Sequence, residues 1–268
     1  MKKSDFITLL SFIMIIISVV IVLCMGSCSV IENKVKSNNA TEITKTNKTD
    51  NFVINSSEGQ KTTCKKTTES TAKSKNISMK DALFIGDSRT VGISEYGEIK
   101  GADFFVDVGM SVYNINQKTV SVPSVGRVTL NELLMNKKYG KIYLMLGINE
   151  VGYYLNVTMN KYKELLNLIQ TKQPDSVIFV QANLHVTKSR SDSDKYVNNK
   201  TIDRINTAIS KLADGKKIFY LDANVLFDDG NGNLSSDKSE DTAHLYAKYY
   251  SEWGKWIINQ TSLLIPEG

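Results

Sequence analysis

A serine can attack an acyl carbon only where a base takes its proton and an acid orients that base. The sequence offers few places to build such a set. Ser88 is the first. It follows a short apolar run, residues 82–85, that stops abruptly at Gly86-Asp87-Ser88 before a helix-compatible segment. The run has the length of a buried strand, and Gly86 suits the tight turn by which a chain leaves a sheet. Ser88 then stands at the carboxyl end of a strand and the amino end of a helix. Ligands bind at that edge of open α/β sheets, and backbone N–H groups there face incoming negative charge. Taken alone, Gly-Asp-Ser is more simply a helix cap. A base must come from elsewhere, and the chain has two histidines, His185 and His244. Asp241 precedes His244 by three residues, and a turn just before a helix can set the two side by side. The plainer reading of that pair is a capping aspartate beside a chance surface histidine.

The elements that must position these residues alternate along the chain. Short β-type runs fall at 82–85, 103–108, 141–146, 177–181 and 217–221, with longer helical stretches between them. Thr129-Leu-Asn-Glu132 has the spacing of a capping box and opens a helix over 133–138. From Thr158, the residues Tyr162, Leu165, Leu166 and Ile169 share one helical face, which stops before Pro174. Ile202, Ile205, Ala208, Ile209 and Leu212 form a second stripe, ended by Gly215. A last helix over about 243–260 buries Leu245, Tyr249, Trp253, Trp256 and Ile257, a set that reads as core packing. Alternating β and α elements imply a parallel sheet with right-handed crossovers and helices on both faces. The expectation is a three-layer α/β/α fold with five parallel strands in a flavodoxin-like order.

In such a sheet the loops after the strands share one edge. Gly86-Asp87-Ser88 follows the first strand, Val108-Gly109-Met110-Ser111 the second and Leu146-Gly147-Ile148-Asn149-Glu150 the third, while Asp241-Thr-Ala-His244 precedes the last helix. In this order the four motifs resemble the SGNH, or GDSL-type, esterase and lipase family over essentially all of residues 80–260. The resemblance implies Ser88 as nucleophile, His244 as base and Asp241 as its orienting acid. It implies an oxyanion hole made by the Ser88 and Gly109 N–H groups and the Asn149 side-chain amide. Acyl transfer needs these parts under any family name: an activated hydroxyl, a carboxylate that fixes the imidazole tautomer, and donors aimed at the developing oxyanion. Two positions depart from the family pattern. Glu150 stands where Asp is usual, and Arg89 where a small apolar residue is usual; both are candidates for contact with the substrate. Arg89 is expected either to meet an acidic substrate or to pair with a carboxylate such as Glu150. His185, in Asn183-Leu-His-Val after the fourth strand, lines the pocket or is a satisfied histidine; no Asp lies near it in sequence to make it a competing base.

Composition bounds the setting. Residues 6–25 are uncharged and strongly apolar, long enough to cross a hydrocarbon core of ~30 Å as one helix. Met25-Gly-Ser-Cys28 resembles a bacterial lipobox, so residues 1–28 are expected to anchor the chain either as a helix or through lipid on Cys28. Lys2 and Lys3 favour an inside N-terminus. Residues 29–77 are rich in Ser, Thr, Asn and Lys without apolar period, which reads as a disordered tether. They hold 9 Lys against 5 acidic residues, whereas residues 78–268 hold 22 basic and 22 acidic side chains. The basic character therefore belongs to the tether, and a neutral domain gives no support to nucleic-acid binding. Cys24, Cys28 and Cys64 all precede the domain. With two histidines and no cysteine there, neither a metal centre nor a disulfide framework is expected, and no cofactor is implied.

The reading that follows is a membrane-anchored, extracytoplasmic serine esterase on a bacterial surface. Its substrate would be an acyl ester of carbohydrate, wall polymer or lipid. An acyltransferase would use the same residues and differ only in the acceptor. A silent binding module would be signalled by loss of Ser88, Asn149 or His244, and all three are present. Nucleotide binding fails at the first strand, where Gly86-Asp-Ser-Arg-Thr-Val-Gly92 lacks phosphate-loop spacing and Asp87 would repel phosphate.

Overall fold

A computed structural model describes residues 77–239 and 241–265. The anchor expected over residues 1–28 and the tether expected over 29–77, except its last residue, lie outside the described residues. Among the described residues no helix is long and apolar enough to cross a membrane. The strands are β1 (Ala82–Gly86), β2 (Asp103–Val106), β3 (Thr119–Val122), β4 (Gly126–Thr129), β5 (Lys141–Met145), β6 (Val177–Gln181) and β7 (Ile218–Leu221). The helices are α1 (Ser88–Tyr96), α2 (Leu130–Asn136), α3 (Leu155–Lys172), α4 (Lys188–Ser193), α5 (Asn199–Ser210), α6 (Asn224–Phe227) and α7 (Ala247–Leu264).

Five strands pair in parallel in the order β2-β1-β5-β6-β7, which is the flavodoxin-like order. β1 and β5 are buried at every residue because both their faces are covered. Leu83, Ile85, Ile142, Leu144 and Val180 share one core with Leu133 and Leu134 of α2, Tyr162, Leu165 and Ile169 of α3, and Ile205 and Ile209 of α5. On the other face Phe84, Tyr143, Met145 and Phe179 meet Ile93 of α1 and Tyr250, Trp253 and Ile257 of α7. That face carries one aromatic from each strand. Phe104, Phe84, Tyr143, Phe179 and Phe219 stack in register, with neighbouring ring centroids 5.0, 4.3, 4.8 and 5.8 Å apart.

The structure adds the short helices α4 and α6 to the expected elements, ends the second strand at Val106 instead of 108, and differs in three further places. A hairpin, β3 and β4, pairs Thr119 with Thr129 around a turn at Pro123 and Ser124. Its alternation, Thr-Val-Ser-Val and Arg-Val-Thr, is a half-buried strand pattern of ordinary kind. The capping box forms, but its Thr129 caps a helix that already begins at Leu130. In α7 the buried stripe is Tyr250, Trp253, Gly254, Ile257 and Thr261. Tyr249 and Trp256 sit at its margin, since a helix beginning at Ala247 turns them about 100° from the stripe's centre.

Phe84 lies at the middle of β1 and touches aromatics on both sides. Phe84→Ala is expected to destabilise the domain by ~3–5 kcal/mol, read as a lower urea midpoint at an unchanged slope.

Candidate active site

β1 ends where Gly86 leaves no room for a side chain. A Cβ there would meet the Thr90 Oγ1 and the Met145 carbonyl oxygen of the neighbouring strand. Asp87 follows as the helix N-cap, its Oδ1 accepting from the Arg89 N–H at 3.0 Å. Capping is therefore done by Asp87, and Ser88, the first residue of α1, keeps its hydroxyl for other contacts.

That hydroxyl lies 2.9 Å from His244 Nε2. His244 Nδ1 lies 2.7 Å from Asp241 Oδ2. With the proton on Nδ1, the ring donates to Asp241 and presents a free Nε2 lone pair to Ser88. Asp241 Oδ1 also accepts from the His244 and Ala243 amides, at 2.7 and 3.1 Å. Partial burial pushes the Asp241 carboxyl upward, but the hydrogen bonds from the ring and from those two amides outweigh it and hold it below its ordinary value. Thr242, between them, has φ +75°, the tight turn that brings residues 241 and 244 together. The Thr187 N–H donates to its carbonyl at 2.9 Å, tying this turn to the segment after β6.

Gly109 and Asn149 stand on the loops after β2 and β5, the two strands that flank β1. Gly109 has φ +73°, a conformation open to glycine at little cost. Asn149 Nδ2 donates to the Met110 carbonyl at 2.9 Å, so one of its two N–H groups holds the Gly109 loop and the other is left for a ligand. Asn114 supports the same loop, donating to the Gly109 carbonyl and accepting from the Ser111 N–H. The Gly109 N–H has no protein partner among the described residues. A hydroxyl in contact with an imidazole, beside N–H donors from two further loops, is an arrangement that can form and stabilise a tetrahedral acyl adduct.

The family description GDSL-like lipase/acylhydrolase matches residues 84–251. The chain belongs to the GDSL-like lipase/acylhydrolase family. It is an ester-hydrolysing enzyme. No curated protein matches it. Among solved structures it is similar to a protein of Streptococcus pneumonia described as a platelet activating factor, at 21% identity and a TM-score of 0.52 over 69% of this chain and 84% of that one. It is also similar to a GDSL-like lipase from Bacteroides thetaiotaomicron, at 14% identity and a TM-score of 0.51 over 69% and 91% of the two chains. At these identities the likeness concerns the fold.

Three residues that the sequence suggested for substrate binding have other contacts in this acylhydrolase. Arg89 is 1% exposed, and its guanidinium donates to the Ala243 carbonyl instead of pairing with Glu150. His185 lacks a carboxylate nearby in sequence yet meets two in space, Asp228 at 2.8 Å from Nδ1 and Asp203 at 3.0 Å from Nε2. Burial pushes its pKa down, but those two hydrogen bonds prevail and raise it. Its ring ties α5 to the segment after α6, and with both nitrogens engaged it offers no free lone pair. No local signal could have shown this, since the partners lie 43 and 18 residues away.

Glu150 is buried, and its Oε1 accepts from the Val112 N–H at 2.7 Å. The glutamate thus reaches across and clamps the Gly109 loop to the Asn149 loop. Burial pushes its pKa up to about 7, the Val112 bond opposes this, and the charge of Asp87 adds to it. A carboxyl raised above its unfolded value of 4.5 contributes stability that is whole below that value and is lost as pH rises through about 7. Glu150→Gln keeps an acceptor for Val112 without the charge. Between pH 5 and 9 the wild type is therefore expected to lose up to ~3 kcal/mol relative to Glu150→Gln, measured by urea denaturation at each pH. Parallel pH profiles for the two proteins would contradict this account of Glu150.

Proposed function

We propose that the chain is a serine esterase that works through Ser88, His244 and Asp241 by way of an acyl-enzyme. The observation that carries this reading is the continuous contact from Ser88 Oγ through the His244 ring to Asp241, at 2.9 and 2.7 Å. Nε2 takes the Ser88 proton as Oγ bonds to the ester carbon. The carbonyl oxygen becomes an oxyanion facing the Ser88 and Gly109 N–H groups and the second N–H of Asn149. As the tetrahedral adduct collapses, the imidazolium gives its proton to the departing alcohol. Water then repeats the sequence on the acyl-enzyme, with His244 again as base, and the acid leaves.

The substrate we infer is an acyl ester of carbohydrate, wall polymer or lipid. Exposed tyrosines follow the Asn149 loop, and a half-buried one lies on the Gly109 loop. Tyr153 and Tyr154, 63% and 83% exposed, lie just past Asn149, and Tyr153 stacks on Tyr113 of the Gly109 loop at 5.0 Å. Such rings suit the apolar face of a sugar or an acyl chain. We further propose that the domain works outside the membrane. The apolar run of residues 6–25, Cys28 and the Lys-rich residues 29–77 support an anchor and a tether of that kind.

A fluorophosphonate probe tests the nucleophile. The wild type is expected to be labelled at Ser88, and Ser88→Ala to lose labelling and ester turnover together. Retained turnover in Ser88→Ala, or a wild type that turns over esters yet stays unlabelled, would overturn the reading.

A further inference from the structure

Asp241 and His244 belong to one short turn, and this leaves a problem for the proposed mechanism. Their contact sets the ring relative to the turn, but it cannot set the turn relative to Ser88. Both side chains are open to solvent, with 38% of His244 and 55% of Asp241 exposed. Catalysis of this kind depends on the distance between base and nucleophile, so another group must fix it.

We propose that Arg89 is a positioning residue for the base: its guanidinium holds the peptide that carries His244 against the helix that carries Ser88. The inference rests on the Ser88–His244 reading above. Arg89 Nε and Nη2 both donate to the Ala243 carbonyl, at 3.3 and 3.2 Å. The residue after the nucleophile thus grips the residue before the base. Two links run side by side between segments about 155 positions apart, Ser88 to His244 and Arg89 to Ala243. The planar fork of a guanidinium can place two donors on one acceptor, which a lysine ammonium on its single flexible stem does less rigidly.

The environment of Arg89 supports a positioning task over a binding one. At 1% exposure it cannot meet a substrate in solution. Burying a cation is unfavourable unless charge and hydrogen bonds offset it. Burial does push the Arg89 pKa down, opposed by the charges of Asp87, Tyr250 and Asp241. Asp87, completely buried as the cap of the same helix, is the foremost of these. Other bonds steady the turn from the far side. Thr187 N–H donates to the Thr242 carbonyl, and Ser239 Oγ donates to the His244 carbonyl. Arg89 supplies a link from the nucleophile's own helix.

Chemical rescue tests the proposal. Arg89→Ala is expected to lower both the fluorophosphonate labelling rate and kcat by about 10²-fold, the scale of an ångström misplacement, with KM little changed for neutral and acidic esters alike. Guanidinium at tens of millimolar, below denaturing strength, should enter the vacated space and restore labelling roughly tenfold in Arg89→Ala, but not in wild type. Urea at the same concentration should restore nothing. Should Arg89→Ala fail to fold, Arg89→Lys carries the test: it keeps a buried cation without the fork and is expected to label about tenfold more slowly than wild type. The proposal is overturned by variant rates within about twofold of wild type, by a loss confined to KM for acidic esters, or by a loss that guanidinium leaves untouched. An unlabelled wild type would bring down the Ser88 reading and this one with it. A labelled wild type with an unaffected variant would bring down this one alone.

Discussion

The parallel register of the sheet is the constraint on which the rest of this structure depends. Phe84 pairs with Phe104 on one side and Tyr143 on the other, and Tyr143 pairs with Phe179, which pairs with Phe219. Because the five rings stack, slipping any strand by one residue would turn its aromatic to the opposite face and open the row. The same register decides where each strand stops. β1, β2 and β5 end together, and so Ser88, Gly109 and Asn149 leave the sheet at one edge although 61 residues separate the first from the last. Aromatic packing on the far side of Gly86 therefore bears directly on the site.

Strand ends alone bring loops near one another without fixing their conformations. Three buried or half-buried polar contacts do that here. Asn149 donates to Met110, Glu150 accepts from Val112, and Arg89 donates to Ala243. Each joins segments distant in sequence, and each ends on a backbone group of a loop or turn that carries a residue of the proposed chemistry. Glu150 and Arg89 are the two positions that depart from the family pattern. A longer acid spans the gap between the loops after β2 and β5, and a buried cation spans the gap between α1 and the turn before α7. Each is a charge-bearing group buried under the nucleophile: burial pushes the Glu150 carboxyl up, and it pushes Asp87 up as well, against the opposing charge of Arg89.

The sheet was largely legible from the chain because its signals are local. Runs such as 142–146, apolar throughout after Lys141 and followed by Gly147, announce a strand buried on both faces, and the α3 and α5 stripes announce helices. The β3–β4 hairpin escaped because its two runs are only four residues each and sit on the margin of the core. Tyr250 was missed in favour of Tyr249 because the expected stripe was counted from Leu245, which is buried but lies before the helix, in a bridge with Ser239. The contact of Ser88 with His244 could be anticipated from four motifs in order. The contacts of Arg89 and His185 could not. Their partners are a backbone carbonyl and two scattered aspartates, and no spacing encodes a bond to a carbonyl.

A structure of the protein after reaction with a fluorophosphonate tests the central claim most directly. The phosphonyl group carries an oxygen where the oxyanion of an ester adduct would develop. With phosphorus bonded to Ser88 Oγ, that oxygen is predicted to lie about 2.7–3.1 Å from the Ser88 N, the Gly109 N and Asn149 Nδ2, with His244 still against Asp241. A probe attached elsewhere, or an oxygen turned away from Gly109 and Asn149 toward solvent, would contradict the account.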